Sequence, residues 1–229
     1  MDQIVRSGKV TRAWLGVALQ DVTSDIAANF HLDKPRGALV ADVEEGSPAS
    51  KSGLQTGDII LAIDQKPVLD GRSLQLALGQ MMPGKAVVLT VFRNGQEQNM
   101  NVTLGEQPAQ RESRSGSRQL REPSTQPYTA SEIRGIGVET LDADTARRLG
   151  LRAGTQGAVV VNVEPGSVGD QSGLQEGDVI LEVNRQSIHT AAEYDAAMRK
   201  TGSSAAVLFV NSKGRTHYVT LRPESSTAS

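Results

Sequence analysis

Aspartates and histidines are the side chains of this sequence that could carry out catalysis. Asp58 and Asp178 share one sequence context, each directly after a glycine and before an apolar strand. Such a carboxylate could act as a general base, but the better interpretation is a turn-capping acceptor of backbone N–H bonds. The histidines His31, His189 and His217 stand in unlike contexts. Since no nucleophile elbow, phosphate loop or zinc helix is present, we expect no catalysis, no cofactor and no metal site in this chain.

Two glycine loops are better candidates, and the chemistry they suggest is binding. The tetrapeptides WLGV (14–17) and GIGV (135–138) each place a glycine between apolar residues at the start of a strand, with Arg12 and Arg134 close upstream. Such a loop can present several backbone N–H groups to a carboxylate, and an open strand edge after it can add an extended peptide. The alternative is that each glycine only permits a bend. Spacing alone leaves both interpretations open.

The elements that must position these loops occur twice. Residues 37–64 read GALVADVEEGSPASKSGLQTGDIILAID, and residues 157–184 read GAVVVNVEPGSVGDQSGLQEGDVILEVN, an offset of 120 positions (157 − 37). A period of this length indicates two copies of one domain rather than a solenoid of short repeats.

Hydrophobic periodicity predicts the elements of each copy. Apolar alternation and short apolar runs favour strands in the first copy at 14–22, 38–43, 58–63, 86–93 and 96–104. After Asp70 the spacing changes to i, i+3, i+4, i+7, which predicts a helix with one apolar face. We therefore expect a mixed α+β unit of five to six strands and two helices, with the second copy in the same order.

Composition sets the domain organisation. We assign 14–104 to the first domain, 134–222 to the second and 223–229 to a disordered tail. The polar stretch 105–133 is predicted to be a flexible linker, and its arginines are interpreted as solvated charges rather than an anion site.

The charge and hydropathy patterns exclude several partners. The formal net charge is −2, which gives no general attraction to nucleic acid. No window approaches 18 apolar residues, so we expect no membrane insertion. The absence of cysteine excludes disulfides and thiolate metal sites.

The run GSPA-x-x-SGL-x-x-GD-I-I-L at 46–61 resembles PDZ domains of the bacterial, circularly permuted kind. The run GKVTRAWLGV at 8–17 looks like the junction between the protease domain and the first PDZ domain of the HtrA/Deg serine proteases. Residues 1–13 would then be the end of a protease domain that is absent from this chain. The resemblance implies a pair of small, partly open antiparallel β-barrels or sandwiches from a periplasmic quality-control endoprotease that forms homo-oligomers through its protease domain.

The resemblance also implies site residues. The carboxylate loop of the first domain would be Leu15, Gly16 and Val17, with Arg12 as a charge partner, and that of the second would be Ile136, Gly137 and Val138. Gly137 then takes the place of Gly16. The side-chain pocket would be lined by Val17, Leu19, Leu74 and Leu78 in the first domain, and by Tyr194 and Met198 in the second, where Tyr194 would narrow or cap it. The alternative for the helix residues is simple core packing.

The function implied is a peptide-binding regulatory module for hydrophobic C-terminal or extended segments of misfolded proteins, which feeds and regulates an HtrA-type serine endoprotease. Two other hypotheses stay open. One is a stand-alone adaptor with two PDZ domains, and the other is a pair that acts mainly in the assembly of an oligomer or cage.

Overall fold

The computed structural model describes residues 13–106, 133–152 and 154–223. The strands of the first domain are β1 (Ala13–Trp14), β2 (Val17–Asp21), β3 (Ala38–Val43), β4 (Ile59–Ile63), β5 (Lys66–Pro67), β6 (Ala86–Arg93), β7 (Gln96–Thr103) and β8 (Gly105–Glu106). Its helices are α1 (Ser24–Asn29), α2 (Pro48–Ser52) and α3 (Gly71–Gly79). The strands of the second domain are β9 (Ile136–Thr140), β10 (Ala158–Val163), β11 (Val179–Val183), β12 (Gln186–Ser187), β13 (Ala206–Ser212) and β14 (Arg215–Leu221). Its helices are α4 (Ala143–Arg148), α5 (Val168–Gln171) and α6 (Ala191–Thr201).

Each domain is built on an open antiparallel sheet. The strand order is β2-β3-β4-β6-β7 in the first domain and β9-β10-β11-β13-β14 in the second, while β5 and β12 pair with β4 and β11. A separate ribbon joins β1 to β8. The predicted mixed, partly open antiparallel fold is confirmed, although each domain has three helices where two were expected. Strands β2 and β9 end their sheets, so each has one edge outside the ladder.

Side-chain caps fix where the long helices begin. The Asp70 carboxylate accepts from Ser73 N at 2.7 Å, and the Ser73 hydroxyl accepts from Asp70 N, which completes a capping box at α3. Thr190 accepts from Glu193 N at the start of α6. The Glu193 carboxylate, however, accepts from His189 N rather than from the cap residue. Both helices therefore begin at a defined point beside the terminal strand of their sheet.

Each domain has its own apolar core between the inner face of its sheet and its helices. Central members are Ala38, Val40, Ile60, Leu74 and Leu89 in the first domain, and Ala158, Val160, Ile180, Tyr194 and Leu208 in the second. The described helices include none that is both long and apolar enough to cross a membrane.

The two domains also pack on each other. Helix α1 covers the outer face of the first sheet, and Val207 and Tyr218 of the second domain are buried in the same cluster, with Phe209 packed against it. Sequence reasoning left this orientation open. Of the stretch predicted to be a linker, Gly105 and Glu106 form β8, and 107–132 lie outside the described residues, as do 1–12 and the tail from 224.

Candidate peptide-binding grooves

The first groove is the channel between the outer edge of β2 and helix α3. The two elements are joined at one end, where Gly71 N donates to the Asp21 carboxylate at 3.0 Å. A Cβ on Gly71 would lie 3.4 Å from the Leu19 Cβ, so the first helical turn sits directly against the strand. This contact holds the helix beside a strand edge that the sheet leaves open.

The Leu15–Val17 loop closes the other end of the first groove. Gly16 has φ +81°, and a Cβ there would overlap the fully buried Ser47 side chain. Leu15 O accepts from Ala49 N at 3.0 Å and Gly16 O accepts from Glu44 N at 2.9 Å. In the described part of the chain, the N–H groups of Leu15 and Gly16 have no acceptor. The loop is therefore held by its carbonyls, and its donors stay available for an anion.

Ser47 and Ala49 are supporting residues that the sequence analysis missed. Both belong to the GSPA run at 46–49, of which the second copy keeps only Gly166 and Ser167. The Ser47 hydroxyl accepts from Ser50 N at 3.1 Å and so begins α2, while its Cβ lies under Gly16. A serine that recurs at nearly the same distance after each glycine loop was the signal that could have identified this support: the distances are 31 residues (47 − 16) and 32 residues (167 − 135).

The structure brings the predicted side chains of the first domain together around this groove. Leu15, Leu74 and Leu78 are buried in the core cluster, and Val17 and Leu19 are partly buried against it. The helix residues therefore form the floor, and the β2 residues form the accessible lining. Arg12 lies outside the described residues.

The loop of the second domain corrects one prediction. Gly135, not Gly137, occupies the place of Gly16: its φ is +71°, a Cβ there would overlap Ser167, and its carbonyl accepts from Glu164 N at 2.8 Å. Gly137 lies inside β9, paired with Asn162. The sequence left this choice ambiguous because the GIG run contains two glycines. Against the repeat offset of 120 residues, Gly135 lies one residue before the expected position and Gly137 one residue after it.

Arg134 therefore occupies the position of Leu15, and both its backbone and its guanidinium are held by contacts within the second domain. Its φ is +59°, and it forms a tight turn in which Ile136 N donates to Ile133 O at 3.2 Å. Its guanidinium donates to three carbonyls near the end of α6 and of β14, those of Gly202 (2.8 Å), Ser204 (2.6 Å) and Leu221 (2.8 Å). Burial lowers the pKa of Arg134 from its ordinary value. This arginine fastens the loop to the helix end.

Tyr194 on α6 belongs to the core beside the second groove, the space between β9 and α6. It occupies the place of Leu74, is fully buried, and its hydroxyl has no hydrogen-bond partner among the described residues. Burial raises the pKa of this phenol above its ordinary value. Ile136, Val138 and Met198 are buried as well, whereas Val17 and Leu19 of the first domain are only partly buried. The β9 residues beside the second groove are thus more buried than the β2 residues beside the first.

The aspartates that suggested catalysis are turn acceptors. Asp58 accepts from Gln55 N at 2.8 Å, and Asp178 accepts from Gln175 N at 2.9 Å. The buried Asp58 also forms a two-point ion pair with Arg93, with both N–O distances 2.6 Å. The turn-capping interpretation is confirmed.

The described residues contain no cluster of three metal-ligating side chains. His189 lies 3.0 Å from the Glu193 carboxylate within one helix start, which is a local contact of that cap.

Comparison with known proteins identifies the domain type. The PDZ domain family matches residues 13–104 and again 159–211. The chain is 34% identical over 224 residues to a probable periplasmic serine endoprotease DegP-like of Chlamydia pneumoniae, covering 98% of this chain and 43% of the relative. A relative of the same name from Pseudomonas fulva is 35% identical over 222 residues, covering 96% and 45%. The chain thus spans less than half the length of these relatives. A solved structure titled HtrA-type protease AlgW with decapeptide is 36% identical, covers 47% of this chain and 33% of that chain, and has a TM-score of 0.44.

Proposed function

We propose, on the premise that this chain is a tandem pair of PDZ domains, that its first domain binds hydrophobic C-terminal or extended peptide segments. One observation carries the proposal: β2 has an open edge beside α3, and the Leu15–Val17 loop at its end directs its carbonyls into the fold and keeps N–H groups available. An added peptide would pair with β2 by main-chain hydrogen bonds, with its terminal carboxylate at the loop.

Side-chain selectivity would come from the lining of the first groove. Leu19 on β2 and Met81 after α3 are partly buried and pack against the core cluster that contains Leu74 and Leu78. An apolar side chain of the ligand would cover their remaining exposed surface. Covering such surface stabilises a complex by about 25 cal/mol per Å² of apolar area. Arg12 is proposed as the charge partner of the carboxylate.

The wider role rests on similarity alone. Since the relatives are named periplasmic serine endoproteases, we propose that the chain works in the periplasm as part of such an endoprotease. There it would deliver misfolded proteins to the protease and regulate it, in homo-oligomers formed through the protease domain.

A peptide titration tests the groove. Apolar peptides with a free carboxylate are expected to bind at least about tenfold more tightly than their amidated forms, because charge-assisted hydrogen bonds to the loop are lost on amidation. Leu19→Lys should abolish binding. Leu76→Lys is the matched control, because Leu76 is 61% exposed on the same domain. Equal binding of both peptide forms, or unchanged binding by Leu19→Lys, would contradict the proposal.

A further inference from the structure

The last hairpin of the second domain holds the peptide-binding strand of the first. The Gln20 side-chain amide, on β2, donates to Tyr218 O at 2.7 Å and accepts from Tyr218 N at 2.9 Å. Tyr218 lies on β14, the terminal strand of the second sheet. Gln20 therefore pairs with the edge of β14 as a neighbouring strand would, through both main-chain groups of one residue.

A second contact falls on the neighbouring strand at an irregularity. Between β2 and β3, Ala18 is paired with Asp42 and Leu19 with Val40, so Ala41 has no register partner. A bulge of this kind takes one residue out of the ladder. The Ala41 carbonyl accepts from the Thr216 hydroxyl at 2.7 Å. The hairpin thus contacts both strands that support the first groove.

An apolar cluster stabilises this docking. All three phenylalanines of the chain belong to it: Phe30 and Phe92 are buried in it, and Phe209 packs against it. Tyr218 stacks on the Phe209 ring at 4.8 Å and meets Phe30 edge-on at 5.6 Å. Aromatic pairs in these arrangements add to the stabilisation from burial. Aromatic residues make up only 3% of the chain, so their concentration at this interface indicates a specific contact between the domains.

Arginines of the second domain surround the cluster. Arg185 lies over the Phe30 ring at 5.1 Å and donates to the Asn94 side chain at 2.7 Å. Arg222 pairs with the Asp25 carboxylate at 2.8 Å. These contacts are more exposed and contribute less than the buried cluster.

The hydrogen bonds that join a groove's terminal strand to the other domain are found at β2 and not at β9 among the described residues. Glu139 is the counterpart of Gln20 on β9, at the same offset as Gly135 from Gly16 (139 − 20 and 135 − 16), and it makes no hydrogen bond across domains among the described residues. The outer face of the second sheet is covered by its own helix α4, through Leu141 and Ala146. The rest of that face, at Val207 on β13 and Tyr218 on β14, packs against the first domain. Among the described residues, the hydrogen bonds between the domains reach β2 and β3 of the first sheet, and none reaches β9.

We propose that Gln20 and Thr216 make the second domain a brace for β2, so that docking of the two domains and peptide binding in the first groove strengthen each other. Peptide binding costs less conformational entropy when the edge strand that receives the peptide is already ordered. Coupling between two sites is reciprocal, so bound peptide must tighten the docking by the same factor. This inference rests on the proposed peptide-binding function.

The test uses the whole chain, which has no cysteine of its own. Spin labels on Lys51→Cys and Lys200→Cys, both exposed sites on different domains, report the distance between the domains. We expect Gln20→Ala to loosen docking about tenfold, seen as a broadened distance distribution, because two hydrogen bonds are lost. It should also weaken peptide binding about fivefold. Thr216→Val should act in the same direction, and Glu139→Ala should change neither readout.

Peptide added in saturating amounts should narrow the distribution of Gln20→Ala again, which a merely structural role of Gln20 would not produce. If docking loosens while affinity is unchanged, or if peptide leaves the distances unchanged, the brace is wrong and the peptide site stands. If the unmodified chain binds no peptide, the proposed function itself fails, whatever the distances show.

Discussion

The two grooves share a backbone design and differ in the burial of the side chains around them, and we propose that a ligand enters only the first. Gly16 and Gly135 sit on Ser47 and Ser167 in the same way, each with positive φ. The helix is fastened to the terminal strand at the same point in both, by Asp21 accepting from Gly71 N and by Thr140 accepting from Ala191 N. The scaffold therefore does not decide ligand access.

A few side chains on this scaffold make the difference. Where the first domain has Leu15 and Leu74, the second has Arg134, which is bonded to three carbonyls, and Tyr194, which is fully buried. The duplication thus preserved the support of the groove, while its floor and loop carry different side chains in the second copy.

Alanine substitutions of Gly16 and Gly135 distinguish the structural role of each loop from its role in peptide binding. We expect these two variants to have the largest effect on stability. Gly16→Ala and Gly135→Ala each force a side chain into positive φ and into a neighbouring serine side chain, which should cost about 2–5 kcal/mol of unfolding free energy. Denaturant unfolding measures this cost. Only Gly16→Ala should also abolish peptide binding under conditions where the domain is folded. Equal loss of binding in both variants would contradict the difference between the grooves.

Arg134→Met tests the fastening of the second loop. Three carbonyls lose a charged donor, so we expect a loss of about 2–3 kcal/mol in unfolding free energy. Arg72→Met, at an exposed arginine on α3, is the control and should change stability by less than about 0.5 kcal/mol. A stable Arg134→Met variant with unchanged unfolding would show that the arginine is free for another role.

Tyr194→Phe should have the smallest effect, and in the unusual direction. The variant removes a buried hydroxyl that has no partner among the described residues, so we expect it to stabilise the second domain by about 1 kcal/mol. Thermal unfolding measures the shift. Destabilisation by Tyr194→Phe would mean that the hydroxyl forms a hydrogen bond. The second groove would then be more accessible than we propose.

Much of the fold could be predicted from the sequence because local signals determine it. The repeat gave the two domains, and strand and helix periods gave elements such as Ala38–Val43 and Ala86–Arg93 with the bounds that the structure has. Thr23, of a residue type that favours helix starts, lies directly before α1, and its hydroxyl accepts from Ile26 N.

The remaining features depend on contacts between residues far apart in the chain. The choice between Gly135 and Gly137 depends on which of them sits on Ser167, a contact that spacing leaves ambiguous by one residue. The contacts of Gln20 and Thr216 join positions 198 and 175 residues apart, and no local pattern marks them. That Tyr194 narrows or caps the second groove stays a prediction from the sequence, whereas the role of Arg134 became visible only from its carbonyl partners.

An NMR titration of the whole chain with one apolar, free-carboxylate peptide tests the central claim most directly. We expect the backbone amide signals of Leu15–Asp21 and Gly71–Gly79 to shift at saturation with one peptide per chain, while those of Arg134–Thr140 and Ala191–Thr201 stay unchanged. Comparable shifts in the second set, or no shift in the first, would contradict it.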